Sequence, residues 1–392
     1  MAVARVAVAG AGLAGLRTVE ELRARGYGGE ITLIGAERRP PYDRPPLSKQ
    51  LMAGVVDDTA LRDDLESLGA EVRLGETATG FGDRVLRTDQ GEYGFDSLVL
   101  ATGSLPVALP GPGPQRFLRT LDDALELRAL LRPGLRLVIV GAGWIGAELA
   151  TAAVARGCQV TVVEAGLAPL AGAVGTEVGA LTEPWYAAAG VSLRLGEPVG
   201  SVQPGGLELA DGGWLAADEV VTAVGVRPAI GWLDSSGVAV DGGVIVDERL
   251  RTSAPGVFAV GDCAALWSQR YGRRLRFEHW DVALRAPEVV AANLLGGDAV
   301  YDPVPYFWSE QFGQMIQYAG YHGGADLLVM RGDPGAGRWA ACWLAGARLV
   351  AACCVNAPPD LLQARRLIQA GADVDPDLLA DPGVPVRAAV RG

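Results

Sequence analysis

Lysine is almost missing from this sequence: of 34 basic residues 33 are arginine, and Lys49 stands alone. The bias reflects coding composition, but it draws attention to the one position that keeps an ammonium, because lysine and arginine differ in shape, hydration and pKa. Cysteine is scarce and poorly spaced for chemistry. Cys158, Cys263, Cys342, Cys353 and Cys354 form no C-x-x-C or C-x-x-x-x-C pair. That excludes a zinc ribbon and a redox dithiol, and leaves thiols that act as small buried hydrophobes. No metal site is expected. Long apolar runs are also missing: each is broken by Gly, Pro or charge well before it could span a bilayer. The N-terminus enters a strand without a basic region followed by an apolar leader. The expected location is the cytoplasm, with no membrane partner. An excess of positive charge is lacking too: the formal net charge of −12 argues against nucleic acid, whose binding depends on neutralising phosphates.

What is present is one motif, twice. Val6-Ala7-Val8-Ala9-Gly10-Ala11-Gly12-Leu13-Ala14-Gly15-Leu16 is repeated in plan by Leu137-Val138-Ile139-Val140-Gly141-Ala142-Gly143-Trp144-Ile145-Gly146. Each copy is an apolar strand, then G-x-G-x-x-G, then a helical segment. The first glycine permits a tight turn, the second lets backbone approach a pyrophosphate, and the third allows close helix–strand packing. The helix N-terminus adds free N–H groups and a positive dipole end. Each copy also ends in a second strand followed by an acid: Ile31-Thr32-Leu33-Ile34 with Glu37, and Val160-Thr161-Val162-Val163 with Glu164. That spacing matches the ribose-binding carboxylate of a dinucleotide fingerprint. Two such sites predict a protein that passes electrons between two cofactors.

At 392 residues, with 49% hydrophobic and 20% charged content, the chain has the length of two or three globular domains. Arg17 to Arg25 is predicted as the first helix. Arg38 to Gln50 is a loop with four prolines, and long stiff loops on such scaffolds are usually functional. Ser97 to Gly103 is an apolar strand ending in a small-residue turn, and Leu109 to Pro114 is a linker by composition. The second unit runs from Arg119 to about Trp232. It has helices over 121–131 and 145–156 and a closing strand from Glu219 to Gly225. Strands over 243–247 and 256–262 return to the first domain, the latter placing Asp262 at the start of a new helix. There it serves either as a ligand-binding carboxylate or as an N-cap. Asp302 to Tyr321 is aromatic-rich and opens a third region. Arg338–Leu344 and Arg348–Val355 form a hairpin around Ala345-Gly346-Ala347. Leu361 to Ala370 is an amphipathic helix, which makes this region a small α+β domain.

The order G-x-G-x-x-G, P-P-L-S-K, A-T-G, G-x-G-x-x-G, V-G-D, E-H-W resembles the FAD-dependent ferredoxin reductases of bacterial oxygenase systems, over essentially the whole chain. The resemblance implies an α/β fold with two Rossmann-like dinucleotide-binding domains and a small α+β C-terminal interface domain. The FAD-binding domain would be discontinuous, 1–108 and 233–305, with the NAD-binding domain at 109–232 and the interface domain at 306–392. For FAD it implies Gly10, Gly12, Leu13, Ala14 and Gly15 at the pyrophosphate and Glu37 at the adenosine ribose. In some relatives that acid lies one position earlier, where this chain has Ala36. Further implied FAD contacts are Arg44, Lys49, Ala78, Thr102, Gly103, Arg119, Asp262 at the ribityl chain and Trp280 over the flavin edge. For NAD it implies Gly141, Gly143, Ile145, Gly146, Glu164 and Gly225. Lys49 and Glu148 would pair beside the flavin as the catalytic residues, since a buried lysine needs a counter-charge. Glu164 would also repel a 2′-phosphate, and no Arg lies between Arg156 and Arg194, which favours NADH.

With no cysteine between Pro40 and Lys49, the flavin must hand its electrons on without a thiol relay. The expected acceptor is an acidic, transiently bound iron–sulfur ferredoxin that takes them one at a time and serves a monooxygenase or dioxygenase. Arg270, Arg273, Arg274 and Arg276, or Arg38, Arg39 and Arg44, would steer it. His279 is expected to be structural, and His322 carries no signal. Two same-class alternatives are a rubredoxin reductase and an NADH oxidase. An alternative of another class is an NADH-sensing flavoprotein like apoptosis-inducing factor.

Overall fold

A computed structural model describes residues 3–62 and 64–391. The chain divides into two compact units: Met1–Asp43, Thr59–Leu105 and Val226–Pro305 form the first, and Arg44–Asp58, Pro106–Gly225 and Tyr306–Gly392 the second. The proline-rich loop is where the chain first leaves one for the other, between Asp43 and Arg44.

The first unit is built on a parallel sheet of five strands in the order Val257–Ala259, Ser97–Leu100, Arg5–Ala9, Glu30–Gly35, Glu71–Leu74. Ser97–Leu100 is buried throughout and Arg5–Ala9 at all but its first residue. Such unbroken apolar strands are those of a sheet covered on both faces. Helix Leu13–Ala24 buries Leu16, Val19 and Leu22 and packs along helix Trp280–Leu294. It starts four residues earlier than the sequence suggested, because Gly12 itself is the N-cap. The glycine loop and the helix are continuous.

The second unit repeats the plan with a four-stranded parallel sheet: Ser192–Leu195, Gln159–Glu164, Arg136–Val140, Glu219–Thr222. In each unit a three-stranded antiparallel meander comes next in the chain after the edge strand. It is Ala78–Gly82, Val85–Thr88, Glu92–Gly94 in the first and Val199–Gln203, Gly206–Leu209, Trp214–Ala216 in the second. The repeat visible in the glycines therefore extends to four parallel strands and the meander, with Val257–Ala259 as an added strand in the first unit. Helix Leu121–Leu130 begins at a capping box between Thr120 and Asp123, which satisfies two end amides reciprocally.

The second unit also holds a five-stranded antiparallel sheet ordered Tyr306–Gln311, Gln314–Gly320, Arg348–Val355, Arg338–Ala345, Leu327–Asp333. The hairpin around Ala345-Gly346-Ala347 is present, with Gly346 at φ 61°. Helix Pro358–Ala370 packs against Arg348–Val355. It opens on two prolines at its first turn, where the missing N–H groups cost nothing, three residues before the expected start.

One buried side chain pins this region. Arg331 is 4% exposed and donates to the carbonyls of Leu379 (3.1 Å), Asp381, Pro382 (3.4 Å) and Val384 (2.8 Å), and to Asp360 Oδ2 (3.3 Å). Arg331→Met removes the donors and leaves Asp360 and the carbonyls unmatched. The expected loss in urea unfolding is about 3–5 kcal/mol, and an unchanged midpoint would show that the pin contributes nothing net.

Two local expectations are corrected. Asp262 does not start a helix: it lies in a single 3-10 turn, Gly261–Cys263, that runs straight into strand Ala264–Ser268. The proline-rich stretch is not loop throughout, since Pro45–Ser48 forms a 3-10 turn, its prolines again at the first positions, followed by a short helix Gln50–Ala53. Among the described residues no helix is long and apolar enough to cross a membrane.

Candidate functional site: two glycine cradles and a buried lysine–glutamate pair

The first cradle lies in the first unit. Gly10 has φ 116°, and a Cβ there would stand 2.1 Å from the Ala101 carbonyl oxygen. A Cβ on Gly15 would meet the Gly10 carbonyl oxygen at 1.8 Å. These two glycines are required by the strand–helix approach. Gly12 is different: a Cβ there meets nothing within 4 Å, and no side chain caps the helix it begins. The space in front of the free first-turn amides suits a phosphate.

The second cradle reproduces this in the second unit. Gly141 has φ 105° and its Cβ would lie 2.4 Å from the Ala223 oxygen, while Gly146 would strike the Gly141 oxygen at 2.0 Å. Gly143 is open, and helix Trp144–Ala155 has no side-chain cap. Both loops therefore fit a dinucleotide pyrophosphate.

The acids behind the two cradles are held differently. Glu37 accepts from Tyr42 Oη at 2.5 Å. Glu164 accepts the Ala142 amide at 2.8 Å and the Gly166 amide at 2.7 Å, so it is tied into its own glycine loop. A carboxylate has about four acceptor sites, and capacity remains for ribose hydroxyls.

Leu13 and Ala14 open the helix after the first cradle. Gly261 packs against Ala14, a Cβ on it falling 3.3 Å from the Ala14 Cβ; that contact brings the Asp262 turn to the helix start. Asp262 accepts from Ser104 Oγ at 2.7 Å. Thr102 donates to the Ala229 carbonyl at 2.8 Å, and Gly103 turns with φ 70°. Trp280 donates its indole N–H to Asp43 at 2.6 Å, and Ala78 begins the first meander. All of these belong to the first unit. Arg44, Lys49 and Arg119 fall in the second unit with Glu148 and the whole NAD set. Arg44 donates to the Arg119 carbonyl, so it is a local tie and not an open surface charge. Ile145 is exposed at the start of its helix, and Gly225 turns at φ 105°.

The expected pair is present. Lys49 Nζ lies 2.8 Å from Glu148 Oε2, with the carboxylate 3% exposed. Lys49 also donates to the Pro45 carbonyl at 3.3 Å. Ser48 Oγ donates to the same Glu148 oxygen, and Ser309 Oγ to the other at 2.5 Å. The serines were not foreseen; Ser309 is 161 residues from Glu148 and carries no local motif. Such full satisfaction is what a buried ion pair requires.

All five cysteines are free and buried. Burial pushes Cys342 and Cys353 up to about 12 and raises Cys158, Cys263 and Cys354 as well. Thiols held protonated are poor nucleophiles.

Burial also holds His279 down to about 4, against the pull of Asp262 and Asp281, and lowers His322. An imidazole neutral down to that pH carries no imidazolium proton to transfer at neutrality. The unfolded chain binds these protons near pH 6.5, so the histidines' contribution to stability is complete above that pH and is lost as pH falls towards about 4. A His279→Gln/His322→Gln double variant should lose less unfolding free energy than the parent between pH 7.5 and pH 5. Equal losses in denaturant melts would refute the assignment.

The pyridine nucleotide-disulphide oxidoreductase model matches residues 4–286, and a reductase C-terminal model matches 306–390. The ferredoxin–NAD(+) reductase component of the anthranilate 1,2-dioxygenase system of Burkholderia cepacia is 38% identical, over 97% of this chain and 98% of its own. Putidaredoxin reductase CamA of Pseudomonas putida is 33% identical, over 97% and 96%. Among solved structures, Fdr9 superposes with TM-score 0.95 at 49% identity, covering 100% of both chains. The covalent putidaredoxin reductase–putidaredoxin complex gives 0.95 at 32% identity, covering 99% and 98%. The chain therefore belongs to the pyridine nucleotide-disulphide oxidoreductase family and, within it, to the ferredoxin reductases of bacterial oxygenase systems.

Proposed function

We propose that the chain is an FAD-dependent NADH:ferredoxin oxidoreductase that feeds an oxygenase through an iron–sulfur ferredoxin. The observation that carries the reading is the buried Lys49–Glu148 pair in a chain with two open phosphate cradles. The first cradle, with Glu37 and Asp262, would hold FAD, and the second, with Glu164, NADH. FAD held there would supply acceptance of a hydride from NADH and release of single electrons. The protein's part is to bind, orient and neutralise. Glu148 keeps Lys49 charged and in one place, and a fixed ammonium stabilises negative charge that develops beside it. Glu164 offers acceptors to a ribose and repulsion to a 2′-phosphate.

With every cysteine buried and free, no thiol relay carries the electrons onward, which favours direct transfer to a protein partner, and the reduced thiols suit a cytoplasmic location. Arg273 and Arg274 are exposed, as are Arg38 and Arg39, and would steer an acidic partner. Arg276 is already paired with Glu278. The test is steady-state cytochrome c reduction by NADH with and without ferredoxin. Strong ferredoxin dependence is expected. Fast peroxide formation without ferredoxin would instead identify an oxidase, and a long-lived reduced flavin–NAD complex a sensor.

A further inference from the structure

The strand Tyr306–Gln311 and the residue after it are fastened to one face of helix Trp144–Ala155 at three successive positions. Phe307 meets Trp144 edge to face at 4.5 Å, Ser309 donates to Glu148 at 2.5 Å, and the Phe312 amide donates to Thr151 Oγ1 at 2.9 Å. Residues 144, 148 and 151 share a helical face. The middle tie is the carboxylate that holds Lys49.

The polarity of this tie follows from its distances. Two oxygens 2.5 Å apart share a proton, and the carboxylate that pairs with the Lys49 ammonium is its acceptor. The proton is that of Ser309. Its hydroxyl oxygen is then free to accept, and Gln311 Nε2 donates to it at 3.0 Å. Gln311 Oε1 is left buried without a partner. The reversed amide would draw the Ser309 proton away from Glu148, so the orphaned oxygen is the consequence of a relay directed at the carboxylate. Ser309 and Gln311 are both 0% exposed, so bulk solvent does not compete for the tie.

We propose that Ser309, polarised by Gln311, is a positioning residue for the Lys49–Glu148 pair. The C-terminal sheet thereby takes part in holding the ammonium. Ser309 fixes one carboxylate oxygen so that the other faces Lys49 and Ser48. This rests on the reading that Lys49 serves the flavin chemistry.

The single lysine makes the test direct. Acylation of the holoenzyme by an N-hydroxysuccinimide ester can modify only Lys49 and the terminal amine, and peptide mass separates the two. In Ser309→Ala the carboxylate grips the ammonium less firmly. Acylation of Lys49 should then quicken at least about threefold, and kcat for NADH-dependent ferricyanide reduction should fall about tenfold, with KM for NADH within about twofold. Ser309→Thr, which keeps the hydroxyl, should restore both. Gln311→Met, which leaves Glu148 untouched, should shift both in the same direction and serves if Ser309→Ala does not fold. A folded variant with parental acylation and kcat overturns the proposal. If Lys49→Met is slow while Ser309→Ala behaves as the parent, the positioning role alone fails. If Lys49→Met is itself without effect, the reading it rests on has failed.

Discussion

Replacing Lys49 with Met slows flavin reduction by NADH about a hundredfold in stopped flow, the scale expected when one preorganised charge is removed from a reacting centre. Methionine keeps much of the length of the stem and removes only the ammonium. The side chain is 10% exposed and its partner 3%, so solvent screens the charge little and cannot replace it. Removing it also strands Glu148, still bonded by Ser48 and Ser309, as an unpaired buried carboxylate. The Lys49→Met/Glu148→Gln double variant separates the two effects. It should recover folding stability without recovering the rate. An unchanged rate in the single variant would remove Lys49 from the chemistry.

The second large effect is expected at the two open glycines. Gly12 sits at φ −82°, ψ −168°, extended backbone that any residue adopts, and its Cβ direction is empty for 4 Å. Gly12→Val should therefore fold normally yet purify without yellow colour, because the added methyls stand where a phosphate must lie. Gly143→Val, at φ −76° and equally open, should stay yellow and raise the KM for NADH more than about tenfold, the worth of one lost charge-assisted phosphate contact. Gly15→Ala is the contrasting control. Its Cβ would lie 1.8 Å from the Gly10 oxygen, so it should lower thermal stability as well as flavin content. Flavin absorbance and circular dichroism on the three purified proteins, with steady-state NADH kinetics on Gly143→Val, decide the matter. If Gly12→Val were fully yellow, the first loop would not be a phosphate cradle.

Much of this was legible along the chain because it obeys local rules. The glycine spacings are dictated by one strand–helix turn, and each structural glycine meets a carbonyl that the motif itself, or the residue just past the strand beside it, supplies. The hairpin at Ala345–Ala347 follows from a glycine-centred turn between two adjacent apolar runs. Boundaries were less legible. Helix Leu13–Ala24 begins inside the motif, and the Asp262 turn leads to a strand. Glycine's conformational freedom hides the first, and only packing against neighbouring strands decides the second.

The sequence alone marked two glycine loops of the phosphate-cradle type, singled out one lysine, and left no C-x-x-C pair to relay electrons. Tertiary structure decided who holds whom: Ser48 and Ser309 on Glu148, Gln311 on Ser309, Ser104 on Asp262, and Arg331 on the chain from Leu379 to Val384. Turn and helix preferences act over a few residues and leave a periodic trace. A buried polar group instead takes whatever partner the packed fold brings within 3 Å or so, and that partner's place in the sequence carries no mark of it.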